Sequence, residues 1–88
     1  MKKFEKFFLT EIEIQPAYFG PYGASDERIL LTLQSLDETY KIARYVQDGG
    51  PAFRVLYKIG NSKHIKIPVE VAFGPEEYGS KVIAIKVK

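Results

Sequence analysis

Apolar and polar residues alternate through three segments late in the chain: Phe53–Ile59, His64–Phe73 and Lys81–Val87. A period of two marks a strand with one face buried. The three segments therefore read as an antiparallel meander. Phe53, Val55, Tyr57 and Ile59 must share a side with Ile65, Ile67, Val69 and Val71, because a one-residue slip turns a strand's apolar set outwards. This register predicts Ile59 beside Ile65 across the loop Asn61–Lys63, Lys58 opposite Lys66 and Arg54 opposite Glu70. In the next hairpin it predicts Val71 beside Ile85, Glu70 beside Lys86 and Lys88 next to Pro68.

Earlier in the chain, Phe8, Ile12 and Ile14 fall on one side of an alternating segment, with Glu11, Glu13 and Gln15 on the other. Pro16 ends that strand or marks an edge position. Ala17–Ala24 is a loop by its Gly and Pro content, and Arg28–Gln34 is apolar enough to be a buried strand. Ser35–Gly50 fits a helix. Ser35 and Glu38 have capping-box spacing, and Asp48-Gly49-Gly50-Pro51 reads as a stop. Leu36, Tyr40, Ala43 and Val46 make an apolar stripe, and Asp37, Lys41, Arg44 and Asp48 a polar one. The competing reading starts a strand at Tyr40-Lys41-Ile42 and turns it at Asp48-Gly49. Together these elements predict a single α+β domain over residues 1–88, a mostly antiparallel sheet of about five strands with one helix on its apolar face.

Composition narrows the chemistry. The chain has no Cys and a single His64, which removes disulfides, thiolate nucleophiles and multi-histidine metal sites. Net charge is only +2, so affinity for a polyanion would need a local concentration of charge. The apolar run Phe7–Leu9 is far short of a signal-peptide core, and no stretch approaches the ~20 apolar residues of a membrane span. A soluble cytoplasmic protein is expected, with no membrane partner.

The predicted outer sheet face is where charge gathers. It carries Arg54, Lys58, Lys66, Lys86 and Lys88, with Glu70 the only acid and Lys63 and His64 at one end. Such a face either holds a polyanion or merely keeps the sheet solvated and free of edge-to-edge association. Tyr18, Phe19, Tyr22 and Tyr78 sit in Gly/Pro turns. There they are either stacking platforms for unpaired bases or rings that cap a core or an interface. His64 has no partner of catalytic type, and no acid pair or serine has a spacing that demands general acid–base or nucleophilic chemistry. No enzyme activity, cofactor or metal is expected. The expected function is non-enzymatic binding of nucleic acid, single-stranded favoured, through Arg54, Lys58, Lys63, Lys66, Lys86, Tyr22 and Tyr78. The alternative is a small protein-interaction subunit or inhibitor, from a virus or other mobile element, whose same surface meets an anionic protein partner. A homodimer is also expected. The chain is short, Pro68 argues for an edge or bulge in its strand, and Arg28–Gln34 needs cover on both faces.

Leu36–Ala52 and Tyr78–Lys86 resemble segments of the single-stranded-DNA-binding proteins of filamentous phages, over about a third of the chain. The resemblance implies an all-β, OB-like barrel that binds as a dimer, with Tyr40 and Tyr78 as stacking residues. It also implies a basic, Gly-rich wing, for which Ala17–Ala24 has no Lys or Arg. The α+β reading rests on the residues instead, with the OB-like barrel as its alternative.

Overall fold

The computed structural model describes residues 3–87, apart from the side chains of Tyr18, Ser25 and Tyr78. The order is β1 (Phe4–Gln15), β2 (Tyr18–Gly20), β3 (Gly23–Ser25), β4 (Arg28–Gln34), β5 (Lys41–Tyr45), α1 (Pro51–Ile59), β6 (Ile67–Phe73) and β7 (Val82–Val87). Five strands form one antiparallel sheet in the order β5-β4-β1-β6-β7, and β2 and β3 form a separate two-stranded ribbon. The protein is thus α+β, with a mostly antiparallel sheet and one helix.

The long first strand is the hinge of this arrangement. Its second half pairs with β4 and its first half with β6. A bulge between Leu9 and Glu11 shifts the register, and one extra residue reverses which parity faces the core. Phe7 and Leu9 point inwards before it, and Ile12 is buried after it. Phe8, expected on the side of Ile12 and Ile14, therefore lies on the opposite face. It pairs with Gln34 and Pro68.

The helix forms where a strand was expected, and a strand forms where the helix was expected. Lys41–Tyr45 is a strand laid against β4, with Leu33 beside Ile42. Ser35 is not a helix cap but the centre of the β4–β5 turn. It is buried, and its Oγ donates to Asp37 Oδ1 at 2.7 Å and accepts from the backbone N–H groups of Thr39 and Tyr40 at 3.1 and 3.2 Å. Ser, Thr and Asp side chains serve turns and caps by the same hydrogen bonds, so the capping-box spacing fits both.

Gly50-Pro51, read as a stop, is a start. Proline at the first helical turn loses nothing, because that N–H has no intrahelical partner. Gly60 ends α1 with φ +83°, its N–H donating to the Leu56 carbonyl at 3.1 Å. Ala52 and Leu56, one turn apart, are the buried residues of the helix. Phe53 packs against the core they enter. The predicted pairs Ile59–Ile65, Lys58–Lys66 and Arg54–Glu70 do not exist, because their first members are helical. The other predicted hairpin does form, with Val71 beside Ile85 and Glu70 beside Lys86. Lys88 lies outside the described residues.

α1 packs on the inner sheet face against β4 and β7. The core there comprises Leu9, Ile12, Ile29, Leu31, Leu33, Leu56, Val69, Val71 and Val82. Pro68 sits in an interior strand, not at an edge, one residue in from its start and before the described ladder to β7 begins at Val69. The sheet curls until its two edge strands touch at one end. Val46 bridges Val82 in parallel, and the Gln47 N–H donates to the Val82 carbonyl at 2.8 Å. No ladder follows this single bridge among the described residues, so the OB-like closed barrel is not formed. Among the described residues no helix is long and apolar enough to cross a membrane.

Candidate nucleic-acid interface

With α1 on the inner face, the outer face of the sheet is left without a covering layer. Strand alternation decides what it shows. On β1 the outward residues before the bulge are Phe4, Lys6 and Phe8. Register places Phe4 beside Ala72, Lys6 beside Glu70 and Phe8 beside Pro68. On β6 and β7, Glu70 pairs with Lys86 and Ala72 with Ala84. The small neighbours Ala72, Ala84 and Pro68 keep this part of the face low around the two phenylalanines.

Three rings on the outer sheet face, Phe4, Phe8 and Tyr45, each have a cation over them. Lys86 Nζ lies 4.3 Å from the centroid of Phe4, Lys66 Nζ 4.8 Å from that of Phe8, and the Arg28 guanidinium carbon 5.1 Å from that of Tyr45. At exposed positions such contacts are worth about 0.5–1 kcal/mol each. Lys66 also meets Glu38 of the β4–β5 turn at 2.5 Å, with both side chains 54% exposed. A surface ion pair of this kind contributes about 0–1 kcal/mol. Stacking one base on an aromatic ring is worth about 1–3 kcal/mol. A stack on one of these rings would thus be worth at least as much as the cation contact already there.

The two halves of the face differ. The β1–β6–β7 half has Lys6, Lys66 and Lys86 around Phe4 and Phe8. The β1–β4 half carries Glu11 and Glu13, beside Thr32 and Leu30, and Thr32 Oγ1 donates to Glu11 Oε2 at 3.4 Å. Cation and ring thus coincide on the first half, and return at Arg28 and Tyr45 by the root of the ribbon. On the ribbon itself Phe19 is 83% exposed and Tyr22 fully exposed. A two-residue Pro21-Tyr22 turn between paired Gly20 and Gly23 holds Tyr22 at the tip.

The residues expected from sequence separate into groups. Lys66 and Lys86 stand on the outer face, each over a ring. Tyr22 is at the ribbon tip. Arg54 and Lys58 are exposed on α1, in the layer behind the sheet, so they do not join Lys66 and Lys86. They line a groove of about 620 Å³ with Asp26, Glu27, Asp48, Phe53 and Tyr57. There a hydrogen bond to Glu27 raises the pKa of the Tyr57 phenol. Lys63 is exposed in the loop after α1, lining a shallow surface with Asn61, Ile12 and Ile14. The Tyr78 side chain lies outside the described residues. Tyr40 is exposed at the end of the β4–β5 turn.

Sequence reading missed Phe4, Lys6, Phe8, Arg28 and Tyr45. A signal for the first three was present. Phe4, Lys6 and Phe8 recur at intervals of two, which places them on one face of a strand. Reading the first strand only from Phe8 leaves Phe4 and Lys6 out, whereas β1 begins at Phe4.

No family model matches this sequence, and neither a curated protein nor a solved structure matches it.

Proposed function

We propose that this protein is a non-enzymatic module that binds single-stranded nucleic acid on the outer face of its sheet. The observation that carries the reading is the three outward aromatic rings, Phe4, Phe8 and Tyr45, each paired with a cation. An open face that offers rings and cations together suits unpaired bases on a charged backbone. It suits a duplex poorly, because stacked and paired bases cannot reach the rings. Phe19 and Tyr22 on the ribbon extend the aromatic surface beyond the sheet. The element order adds support: a three-strand meander with a long shared first strand, then a helix, then a hairpin. Partly open five-stranded OB-type sheets also bind oligonucleotides on a sheet face and its loops. That is a fold-level analogy, and the function rests on the site.

The proposal retains cytoplasmic placement and self-association. The outer backbone edges of β5 and β7 are available for pairing between copies along most of their length, and light scattering that returns a 10.0 kDa particle at tens of micromolar overturns the dimer. The binding reading is tested by fluorescence anisotropy with a labelled oligothymidylate and a duplex of the same length, titrated against salt. For n phosphate contacts, log K should fall against log salt with a slope of roughly −0.7n on the single strand. The duplex should bind more weakly. No salt-sensitive binding to either probe, nor to an RNA oligomer, at 50 mM salt removes the proposal and leaves the protein-partner alternative.

A further inference from the structure

We propose that the carboxylate of Glu38 is an internal stand-in for a phosphate on Lys66, and that a bound strand must displace it. The inference rests on the nucleic-acid reading above. Lys66 Nζ sits over the Phe8 ring and simultaneously on Glu38 Oε1 at 2.5 Å. The acid therefore occupies the cation that belongs to one stacking position. The two residues are 28 apart in sequence, so it is the tertiary fold that brings them together.

The turn that delivers Glu38 is built to hold it. The Glu38 N–H donates to the Ser35 carbonyl at 2.9 Å. Asp37 Oδ1 accepts from the Thr39 N–H at 3.2 Å and from Thr39 Oγ1 at 2.8 Å, next to the Ser35 bonds already described. Glu38 itself has φ +62°, a left-handed conformation that non-glycine residues rarely adopt. A strained backbone kept in place by a hydrogen-bonded turn points to a role for what it presents. The ion pair is half-exposed, so folding gains little from it. A negatively charged oxygen fixed on a ring-capping lysine has the charge and hydrogen-bonding capacity of a phosphate oxygen at the same place.

Two consequences follow for binding. Glu38 lowers affinity, because its contact is lost when a phosphate takes Lys66. It also flattens the salt dependence, because the carboxylate set free takes up a cation and so offsets one released from the strand.

The experiment compares wild type, Glu38→Gln, Glu38→Gly, Lys66→Ala and each Glu38 change combined with Lys66→Ala against a labelled oligothymidylate at several salt concentrations, with a melting curve for each. Glu38→Gly is the second variant because glycine relieves the positive φ and keeps the test readable if the Gln side chain disturbs the turn. Both Glu38 variants should bind several-fold more tightly than wild type at low salt, with a log K slope steeper by about 0.7, one further phosphate contact on a single strand. In the Lys66→Ala background the gain should vanish, since the two changes act through one contact. If wild type binds but both Glu38 variants match its affinity and slope, the stand-in role is overturned while the binding reading survives. If neither wild type nor the variants bind, both fall.

Discussion

The Tyr18–Ser25 ribbon and the five-stranded body contain the same kinds of side chain and use them in opposite ways. In the body, Phe7 meets Phe73 edge to face at 6.1 Å, and Phe53 stacks on Tyr57 at 6.0 Å. Phe4, Phe8 and Tyr45 lie flat enough under cations to be half-buried. On the ribbon, Phe19 and Tyr22 stand in water. A chain of this size buries only about 60% of its unfolded surface, and burying one Phe is worth about 1.5–3 kcal/mol. Two large rings left out of so small a core contribute almost nothing to folding, which under the proposed function leaves them to a ligand. The outward body aromatics do two things: one side packs, and the other meets a cation.

The largest expected effect lies in the body. Leu31 is fully buried at the middle of β4, so Leu31→Ala should cost about 2–5 kcal/mol, read from denaturant unfolding. On the ribbon, Tyr22→Ala should leave stability within about ±0.5 kcal/mol. Equal losses from the two would mean that the ribbon packs on the body.

Next comes the β4–β5 turn. Ser35→Ala strips an acceptor from two backbone N–H groups beside a buried position and should cost about 1–3 kcal/mol. A loss no greater than that of Tyr22→Ala would show the stitched turn to be as dispensable for folding as the ribbon.

Binding should reverse the ranking. Phe8→Ala and Tyr22→Ala should each weaken single-strand affinity by about 1–3 kcal/mol, measured by anisotropy, with little change for a duplex. Arg54→Ala and Lys58→Ala, in the layer behind the sheet, should change neither the affinity nor the salt slope. Loss of binding from the helix pair with none from Phe8 would move the interface to the α1 groove.

The smallest effect is one of pH. Hydrogen bonds from Ser35 Oγ, from Thr39 Oγ1 and from the Thr39 N–H hold the Asp37 carboxyl below the usual carboxylate range. A pKa depressed in the folded state gives stability that is present above the unfolded value of about 3.9 and is lost as pH falls through the folded one. Asp37→Asn should therefore be less stable than wild type at neutral pH, and the gap should close below about pH 4. A gap constant with pH would mean that protonating Asp37 costs the fold nothing, so that the carboxylate charge plays no part in the turn.

Much of the fold was legible from local pattern. Val71 beside Ile85 and Glu70 beside Lys86 followed from alternation alone, because each strand of that hairpin buries one face and a slip of one residue would expose it. The antiparallel sheet with one helix followed in the same way. The helix's place did not. Lys41–Tyr45 and Phe53–Ile59 each satisfy both periods: Leu36, Tyr40, Ala43 and Val46 make a helical stripe, and Phe53, Val55, Tyr57 and Ile59 a strand face. What separated them was tertiary. β4 is apolar on successive residues and needs a neighbour on its outer edge, and the nearest chain after a short turn is Lys41–Tyr45. The inner face then needs a cover, and Ala52 and Leu56 insert into it only from a helix. Pro51 at the first turn and Gly60 just past the end already marked those boundaries, and an adjacent glycine pair disguised the first of them.

For the site, residue type was visible and neighbourhood was not. The sequence by itself determined which residue types are on offer: no thiol, one imidazole, and several lysines and aromatics in strands and turns. Lys86 was placed on the outer face by the correctly registered β6–β7 hairpin, whereas Lys66 reached it although its expected partner Lys58 is helical. Only the tertiary structure decided that Arg54 and Lys58 stand apart from them, and that Phe8 faces outwards. The bulge at Thr10 supplies the physical reason for Phe8: one unpaired residue reverses the parity of β1, and no local pattern reports which face a partner strand will claim.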